Sequence, residues 1–238
     1  MRRSARRATI GSVRGVLRLL ALCALLVGIA APATAAATTR AARTPDQWMA
    51  ASLAAAKAAS TVRISGVMSL AGQRLSLDLR LAAHKGATGR IVVGKQRIDI
   101  MQLGRFAYFR AGASYWRHYG GNLAADLFAG RWVKVSTSFP GFSSFSAFTN
   151  MSSFFSGMLG SHGALSLGGT RTIAGTPAIG IVDTSQGGGT LSIASTGTPY
   201  PLRVTQTGGP GYLSFGSWNA PVQLTAPKNP VDLSKLKK

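Results

Sequence analysis

Residue types that support acid–base, nucleophilic or metal chemistry are scarce in this sequence. The 238 residues include three histidines, one cysteine and six acidic residues, all of which are aspartates. His84, His118 and His162 show no metal-ligand spacing, and one cysteine cannot form an intramolecular disulfide or a cysteine-based metal cluster. No serine lies in the G-x-S-x-G motif that presents a nucleophile in α/β-hydrolases. We therefore expect a protein that is not an enzyme and that needs no metal and no cofactor.

The composition is strongly basic yet typical of a folded domain. There are 27 Lys+Arg against 6 Asp+Glu, which gives a formal net charge of +21. Apolar residues make up 46% of the chain and charged residues only 14%, so the sequence lacks the signature of intrinsic disorder.

The first 35 residues predict a secretory signal peptide. Met1–Arg18 contains six arginines and no acid, Leu19–Ala30 is an apolar run, and Ala33-Thr34-Ala35 supplies the small residues of a cleavage site. The alternative is an uncleaved anchor, although the apolar run is shorter than the ~20 residues of a membrane span. Cys23 follows Leu22, whereas a lipidated cysteine follows a small residue. We expect an exported protein, extracellular or in the cell envelope, that is not lipid-anchored.

Removal of the signal peptide leaves a length that suits a single domain. We predict a flexible lead-in at 36–44 and one domain at 45–238 with an extended C-terminal tail. These residues carry 21 bases against six acids, a net charge of +15. An exported protein does not normally meet nucleic acid, so an anionic membrane surface or wall polymer is the expected partner for this charge. We expect a monomer.

Hydrophobic periodicity predicts an α+β fold. Thr44-Pro45-Asp46 is typical of a helix start, and the helix is predicted to run over 45–60. Beyond it the period changes to two, most clearly in Arg74–Leu81, and about eleven short strands with Gly-rich turns follow. A sheet of that length buries its apolar face by curling. We therefore predict a curled antiparallel sheet, a half-barrel of about eleven strands, wrapped around two or three helices.

One long segment is unusual because it has no charge. Between Val135 and Thr170 there is no Asp, Lys or Arg, and six of the ten phenylalanines lie between Phe139 and Phe155. Helical spacing over 145–159 places phenylalanines and methionines on one side and hydroxyl or amide side chains on the other. A helix of this kind can be buried in a core or can line an apolar cavity, and the sequence is compatible with both.

Several short motifs resemble one known family. They are Ser60–Gly66, Tyr115-Trp116, Gly130-Arg131-Trp132-Val133-Lys134, Gly175-Thr176-Pro177, Gly197–Leu202 and Val231-Asp232. In this order and spacing, from about Asp46 to Asp232, the chain resembles the LppX/LprG-type lipoproteins (LppX_LprAFG) of mycobacteria and related bacteria. The resemblance implies a half-barrel similar to that of LolA and LolB, with an apolar cavity for lipids or lipid-anchored glycans.

The leading hypothesis is therefore a cell-envelope carrier that binds acyl chains without catalysis. For the sheet side of the cavity and for its helical side or lid, the predicted lining residues are Leu75, Leu77, Leu79, Leu81, Ile98, Ile100, Phe106, Tyr108, Phe145, Phe148, Met151, Phe154, Phe155 and Met158. Plain core packing explains each sheet residue equally well. The alternative function is a secreted structural or sensory ectodomain that binds anionic wall polymer or a protein partner.

Overall fold

The fold consists of one long sheet and three helices longer than a single turn. The computed structural model describes residues 43–70, 72–139, 142–146, 148–185 and 188–235. The predicted signal peptide, Cys23 and all of the lead-in except Arg43 and Thr44 lie outside these residues. From residue 42 onward the chain forms one compact unit.

Twelve strands of the described chain form a single sheet. Their bounds are β1 (Thr61–Leu70), β2 (Gln73–Ala82), β3 (Gly86–Val93), β4 (Gln96–Leu103), β5 (Phe106–Ala111), β6 (Val133–Ser136), β7 (Leu165–Ile173), β8 (Thr176–Asp183), β9 (Gly189–Ala194), β10 (Pro201–Gln206), β11 (Tyr212–Gly216) and β12 (Val231–Asp232). The spatial order is β12-β6-β5-β4-β3-β2-β1-β11-β10-β9-β8-β7. All neighbours are antiparallel except β12 and β6.

This architecture confirms the predicted α+β class and the long antiparallel sheet. The sheet is open, since β7 and β12 are its edges. It is not strongly curled, so it bends less than the predicted half-barrel. Strand β7 is irregular, with a register shift between Leu167 and Thr170 in its pairing with β8. The tail adds β12, where Lys134 Nζ lies 2.9 Å from Asp232 Oδ2 and ties the end of the chain to β6.

Helix α1 (Pro45–Ala58) begins as the sequence predicts. Thr44 is the N-cap and forms a capping box, because its hydroxyl accepts from Gln47 N at 3.2 Å while Gln47 Oε1 accepts from Thr44 N at 3.0 Å. The helix buries Met49, Ser52 and Ala56. These residues are spaced by three and four, so they share the face that packs onto the rest of the domain.

The predicted phenylalanine helix is interrupted. The structure has a single turn, α3 (Ser143–Ser146), and a nine-residue helix, α4 (Met151–Leu159), so Phe145 and Phe148 precede the main helix. The Asn150 side chain accepts a hydrogen bond from Ser153 N at 2.9 Å and caps α4. Asn at an N-cap position competes with helix continuation, which explains why the apolar periodicity alone overestimated the length.

Helix α2 (Ala113–Phe128) lies between β5 and β6. Gly121 has φ 75° and ψ −171°, so the helix is two segments joined at this residue. Only glycine adopts this backbone conformation readily, so Gly121 allows the change of direction between the two segments. Among the described residues, no helix is long and apolar enough to span a bilayer.

Candidate functional site

One face of the sheet is apolar and forms the main core of the protein. Leu75, Leu77, Leu79 and Leu81 alternate along β2 and are at most 4% exposed. The buried residues of the neighbouring strands continue this inner face on both sides: Val62, Ile64, Ala87, Ile91, Ile98, Ile100, Ala107, Phe109, Ala111, Ile181, Leu191, Ile193, Leu213 and Phe215. The alternation found in the sequence therefore corresponds to one continuous buried surface.

Helices α1 and α4 pack against each other, and α4 reaches the inner face through aromatic side chains. Phe155 is fully buried, and its ring centroid lies 5.4 Å from that of Phe215 and 5.5 Å from that of Trp218. Trp218 in turn stacks on Tyr200 at 4.5 Å. The contact between α4 and the sheet is thus made of polarisable rings, with no ion pair or charged side chain from the helix.

A pocket of about 220 Å³ opens at one end of this core. It lies where the start of α1 and the end of α4 meet β1, β8, β9 and β10. Its apolar wall consists of Met49, Met68, Met158, Leu159, Ile181, Leu191 and Val204. Three of these residues are methionines, whose unbranched side chains repack more easily than branched ones. The pocket is therefore a place where the core can accept additional apolar atoms.

The rim of the pocket is polar and includes Ser161, His162 and Asp183. The fold thus brings the carboxylate of Asp183 to the rim where Ser161 and His162, adjacent in sequence, also lie. No hydrogen bond of a catalytic triad links the three: Asp183 accepts from Ser185 Oγ at 2.6 Å and from Gly163 N at 3.3 Å, and His162 Nδ1 faces the carbonyl of Gly163. The Ser185 hydroxyl, more than any other group, holds the pKa of Asp183 below its usual value.

The described residues contain no group of three or more His, Cys, Asp or Glu side chains arranged to hold a metal ion. His84 lies in the turn between β2 and β3 with φ 59°, His118 lies on α2, and His162 follows α4. The three histidines therefore occupy separate elements, as their spacing in the sequence suggests.

The structure brings together twelve of the fourteen predicted lining residues. Leu75, Leu77, Leu79, Leu81, Ile98, Ile100, Met151, Phe154 and Phe155 are buried in the core, and Phe145, Phe148 and Met158 pack against it partly exposed. Of these, Met158 lines the pocket itself. The others fill the space between helices and sheet, so at rest they are core residues.

Phe106 and Tyr108 are not part of this surface. In β5 the inner residues are Ala107, Phe109 and Ala111, so Phe106 and Tyr108 point to the opposite, outer face. Lys134 Nζ lies 4.1 Å from the Phe106 ring centroid on that side. Phe106, Tyr108 and Arg110 alternate along β5, so their side chains lie on the same face of the sheet. The charge of Arg110 was the sequence signal that this face is the outer one.

Several pocket residues were missed from the sequence. Met49 lies on the buried face of α1, and nothing in its spacing distinguishes a pocket wall from a core position. Met68, Ile181, Leu191 and Val204 come from strands that are far apart in the chain. Only the order of strands in the sheet, with β1 next to β11 and β11 next to β10, places them side by side.

The outer face carries a row of charges in cross-strand register. Arg90, Asp99 and Arg110 are direct neighbours on β3, β4 and β5. Asp99 accepts from Arg90 Nε at 3.0 Å and Arg110 Nη2 at 2.9 Å, and Arg97 Nη2 lies 3.3 Å away. Partial burial raises the pKa of the Asp99 carboxyl, but the three arginines outweigh this and lower it overall.

Comparison with known proteins supports the fold. No family model and no curated protein matches the sequence. Among solved structures, LprF from Mycobacterium bovis matches with a TM-score of 0.51 and 15% identity over 77% of this chain and 96% of LprF. The Mycobacterium tuberculosis lipoprotein LppX gives 0.48 and 16% identity over 75% and 96% of the two chains. A LolA superfamily protein from Nitrosomonas europaea gives 0.26 and 8% over 78% and 96%. The match to LprF confirms the structural resemblance that the motifs predicted, and the chain shares its fold with LprF.

Proposed function

We propose that this protein is a non-enzymatic carrier of lipids or lipid-anchored glycans in the cell envelope, and that it holds acyl chains between helices α1 and α4 and the inner face of the sheet. The pocket at the end of the core carries this proposal. There the apolar wall of the core lies next to a polar rim, so an apolar chain can reach the buried surface while a polar headgroup stays at the rim.

The size of the pocket implies that the core opens to admit a ligand. Its volume of about 220 Å³ lies below the ~300–1,000 Å³ typical of sites for drug-sized ligands. The methionine side chains of Met49, Met68 and Met158 lie on three different elements and can move without breaking a hydrogen bond. We infer that an acyl chain enters between them and extends along α4. Each buried CH₂ contributes about 0.8 kcal/mol, so a long chain offsets the cost of opening.

Two buried donors support a ligand with oxygen atoms. Ser52 Oγ on α1 and Trp218 Nε1 after β11 are buried and have no hydrogen-bond partner within the described chain. Buried donors are almost always paired in proteins. The ester or hydroxyl oxygens of a lipid are acceptors that enter such an interior together with apolar chains.

The first experiment is lipid extraction from the purified protein followed by mass spectrometry. We expect a lipid or lipoglycan at a stoichiometry near one. A protein that is empty and that also fails to take up a fluorescent fatty acid would refute the carrier proposal.

A matched pair of variants tests the location of the site. Val204 lies on the inner face at the pocket, whereas Val92 lies on the outer face of β3, and both are half-buried. Val204→Trp fills the pocket and is expected to reduce fatty-acid binding at least tenfold, while Val92→Trp leaves it unchanged. Thermal unfolding of both variants shows whether they fold. Equal binding by two folded variants would place the acyl chain elsewhere.

The basic outer face supports a second candidate function, the binding of anionic wall polymer by a structural or sensory ectodomain. Asp99 neutralises one of the three arginines around it, so two positive charges remain uncompensated there. Retention by purified wall polymer in the absence of any bound lipid would favour this function over the carrier.

Export remains part of the proposal. The arginine-rich start, the apolar run and Ala33-Thr34-Ala35 support cleavage after residue 35 and release of a protein that is not lipid-anchored. N-terminal sequencing of the exported protein tests this directly. An N-terminus at Cys23 would show lipoprotein processing instead.

A further inference from the structure

Helix α2 exposes large apolar side chains that the described chain does not cover. Tyr119 is 69% exposed, Leu123 71% and Leu127 42%. In this helix of 16 residues only Ala125 is buried. Its main contacts with the sheet are to β4 and β5, so one side of the helix rests on the domain and the rest projects from it.

The two segments of α2 each present an apolar stripe. Tyr115 and Tyr119 are four residues apart before Gly121, and their ring centroids are 4.7 Å apart. Leu123 and Leu127 are four residues apart after it, which places them on the same side of the second segment. Trp116 contacts Phe128 at 5.2 Å, so the segments pack on each other through these inner rings. Tyr115 is half-buried against the core, and Tyr119, Leu123 and Leu127 are left outside.

Positive charge surrounds this helix. Residues 95–131 contain six Lys/Arg and two Asp. Three of the bases, Lys95, Arg97 and Arg110, line a surface depression of about 440 Å³ that includes Gly112 and Ser114 at the start of α2 and Gly130 just after its end. Asp99 lies in the same depression and pairs with Arg97 and Arg110, so the lining keeps a net positive charge. Arg117 lies within the helix, and Arg131 donates to the carbonyl of Leu127 at 3.0 Å. The cations therefore lie near the start and the end of α2 and, at Arg117, within it.

We propose that α2 and the basic side chains around it form a docking surface for a lipid bilayer that contains anionic lipids. Tyrosine and leucine side chains partition into the interfacial region of a bilayer, and nearby lysines and arginines bind anionic headgroups. An apolar stripe alone fits a protein equally well. The net positive charge of the surrounding residues favours a negatively charged partner, and the exposed apolar side chains favour one with an apolar interior. A bilayer that contains anionic lipids has both properties.

The docking surface is separate from the proposed acyl pocket. The pocket is lined by α1, α4 and strands β1, β8, β9 and β10, whereas the docking surface lies on α2, β4 and β5. Membrane binding and fatty-acid uptake can therefore fail independently of each other.

Flotation with lipid vesicles tests the proposal. The protein used begins at residue 36, because the apolar run of the signal segment binds membranes by itself and the whole compact unit lies beyond it. We expect binding to mixed phosphatidylcholine and phosphatidylglycerol vesicles that weakens with added salt, and little binding to pure phosphatidylcholine. Leu123→Ser is expected to reduce partitioning about tenfold and Lys95→Gln roughly fivefold.

Matched controls lie at the opposite edge of the sheet. Leu167 on β7 is 52% exposed and Arg171 on the same strand is exposed, so Leu167→Ser and Arg171→Gln should leave binding unchanged. Circular dichroism of each variant checks folding. Equal losses in the α2 and β7 variants, or equal binding to pure phosphatidylcholine, would overturn the proposal. So would a dimer in sedimentation equilibrium that Leu123→Ser dissociates, since α2 would then be an interface between two copies.

Discussion

The carboxylate of Asp99 organises the outer face of the sheet, and its replacement by asparagine is expected to destabilise the fold measurably. Its side chain is 12% exposed, while the three arginines that surround it are 42–53% exposed. Asp99→Asn keeps the shape of the side chain, so no cavity forms. It removes the negative charge and leaves three guanidinium groups to repel one another.

The expected loss follows from these exposures. An ion pair between a half-exposed arginine and a carboxylate contributes up to about 1 kcal/mol to the free energy of unfolding. Three such contacts to one partly buried carboxylate, together with the repulsion that remains without it, give a loss of about 2–3 kcal/mol. The arginines lower the pKa of Asp99, so its contribution is present above the ordinary carboxyl pKa and is lost as the pH falls through the folded-state pKa. The destabilisation caused by Asp99→Asn should therefore shrink at acidic pH.

Urea unfolding followed by circular dichroism at neutral pH measures this loss. The matched control is Asp78→Asn, because Asp78 pairs with Arg63 at 2.9 Å and its side chain is 49% exposed. We expect about 0.5 kcal/mol for the control. If Asp99→Asn costs no more than Asp78→Asn, or if its effect is the same at pH 7 and in acid, the electrostatic explanation of the outer face is wrong.

Three further predictions concern the helix start, the sheet and the signal segment. Thr44→Ala removes the capping box of α1 and should cost about 1 kcal/mol in urea unfolding, whereas Thr44→Ser should cost little. Gly66 has φ 146°, and a Cβ added there would meet the carbonyl oxygen of Tyr212 on β11. Gly66→Ala should therefore lower the free energy of unfolding in urea by about 2 kcal/mol, whereas Gly216→Ala, where an added Cβ meets open space, should not. Cys23→Ser should leave export and membrane partitioning unchanged in cell fractionation; a shift to the soluble fraction would show that Cys23 is lipidated.

The local elements were predictable because their signals are local. The start of α1 at Thr44-Pro45 depends on a helix cap, and the eight-residue alternation of β2 depends on burial of every second side chain. Both signals come from residues that are close together in sequence. The errors arose where the pattern fits more than one structure. Phe145 and Phe148 fit a continuous helix by spacing, yet the Asn150 cap starts α4 after them. Phe106 and Tyr108 are apolar, yet strand parity places them on the outer face with Arg110.

The sequence by itself determined the class of the protein. Its charge, its small number of histidines and acids, its strand-rich pattern and its arginine-rich start follow from residue identities and short-range order. Only the tertiary structure decided where a ligand could enter and where apolar surface is left uncovered. The pocket joins α1, α4 and four strands that are distant in the chain, and the exposure of Leu123 depends on which side of α2 the sheet occupies. These arrangements depend on the order of strands in the sheet and on which side chains stay exposed after the elements pack. The periodicity within one segment carries no information about either.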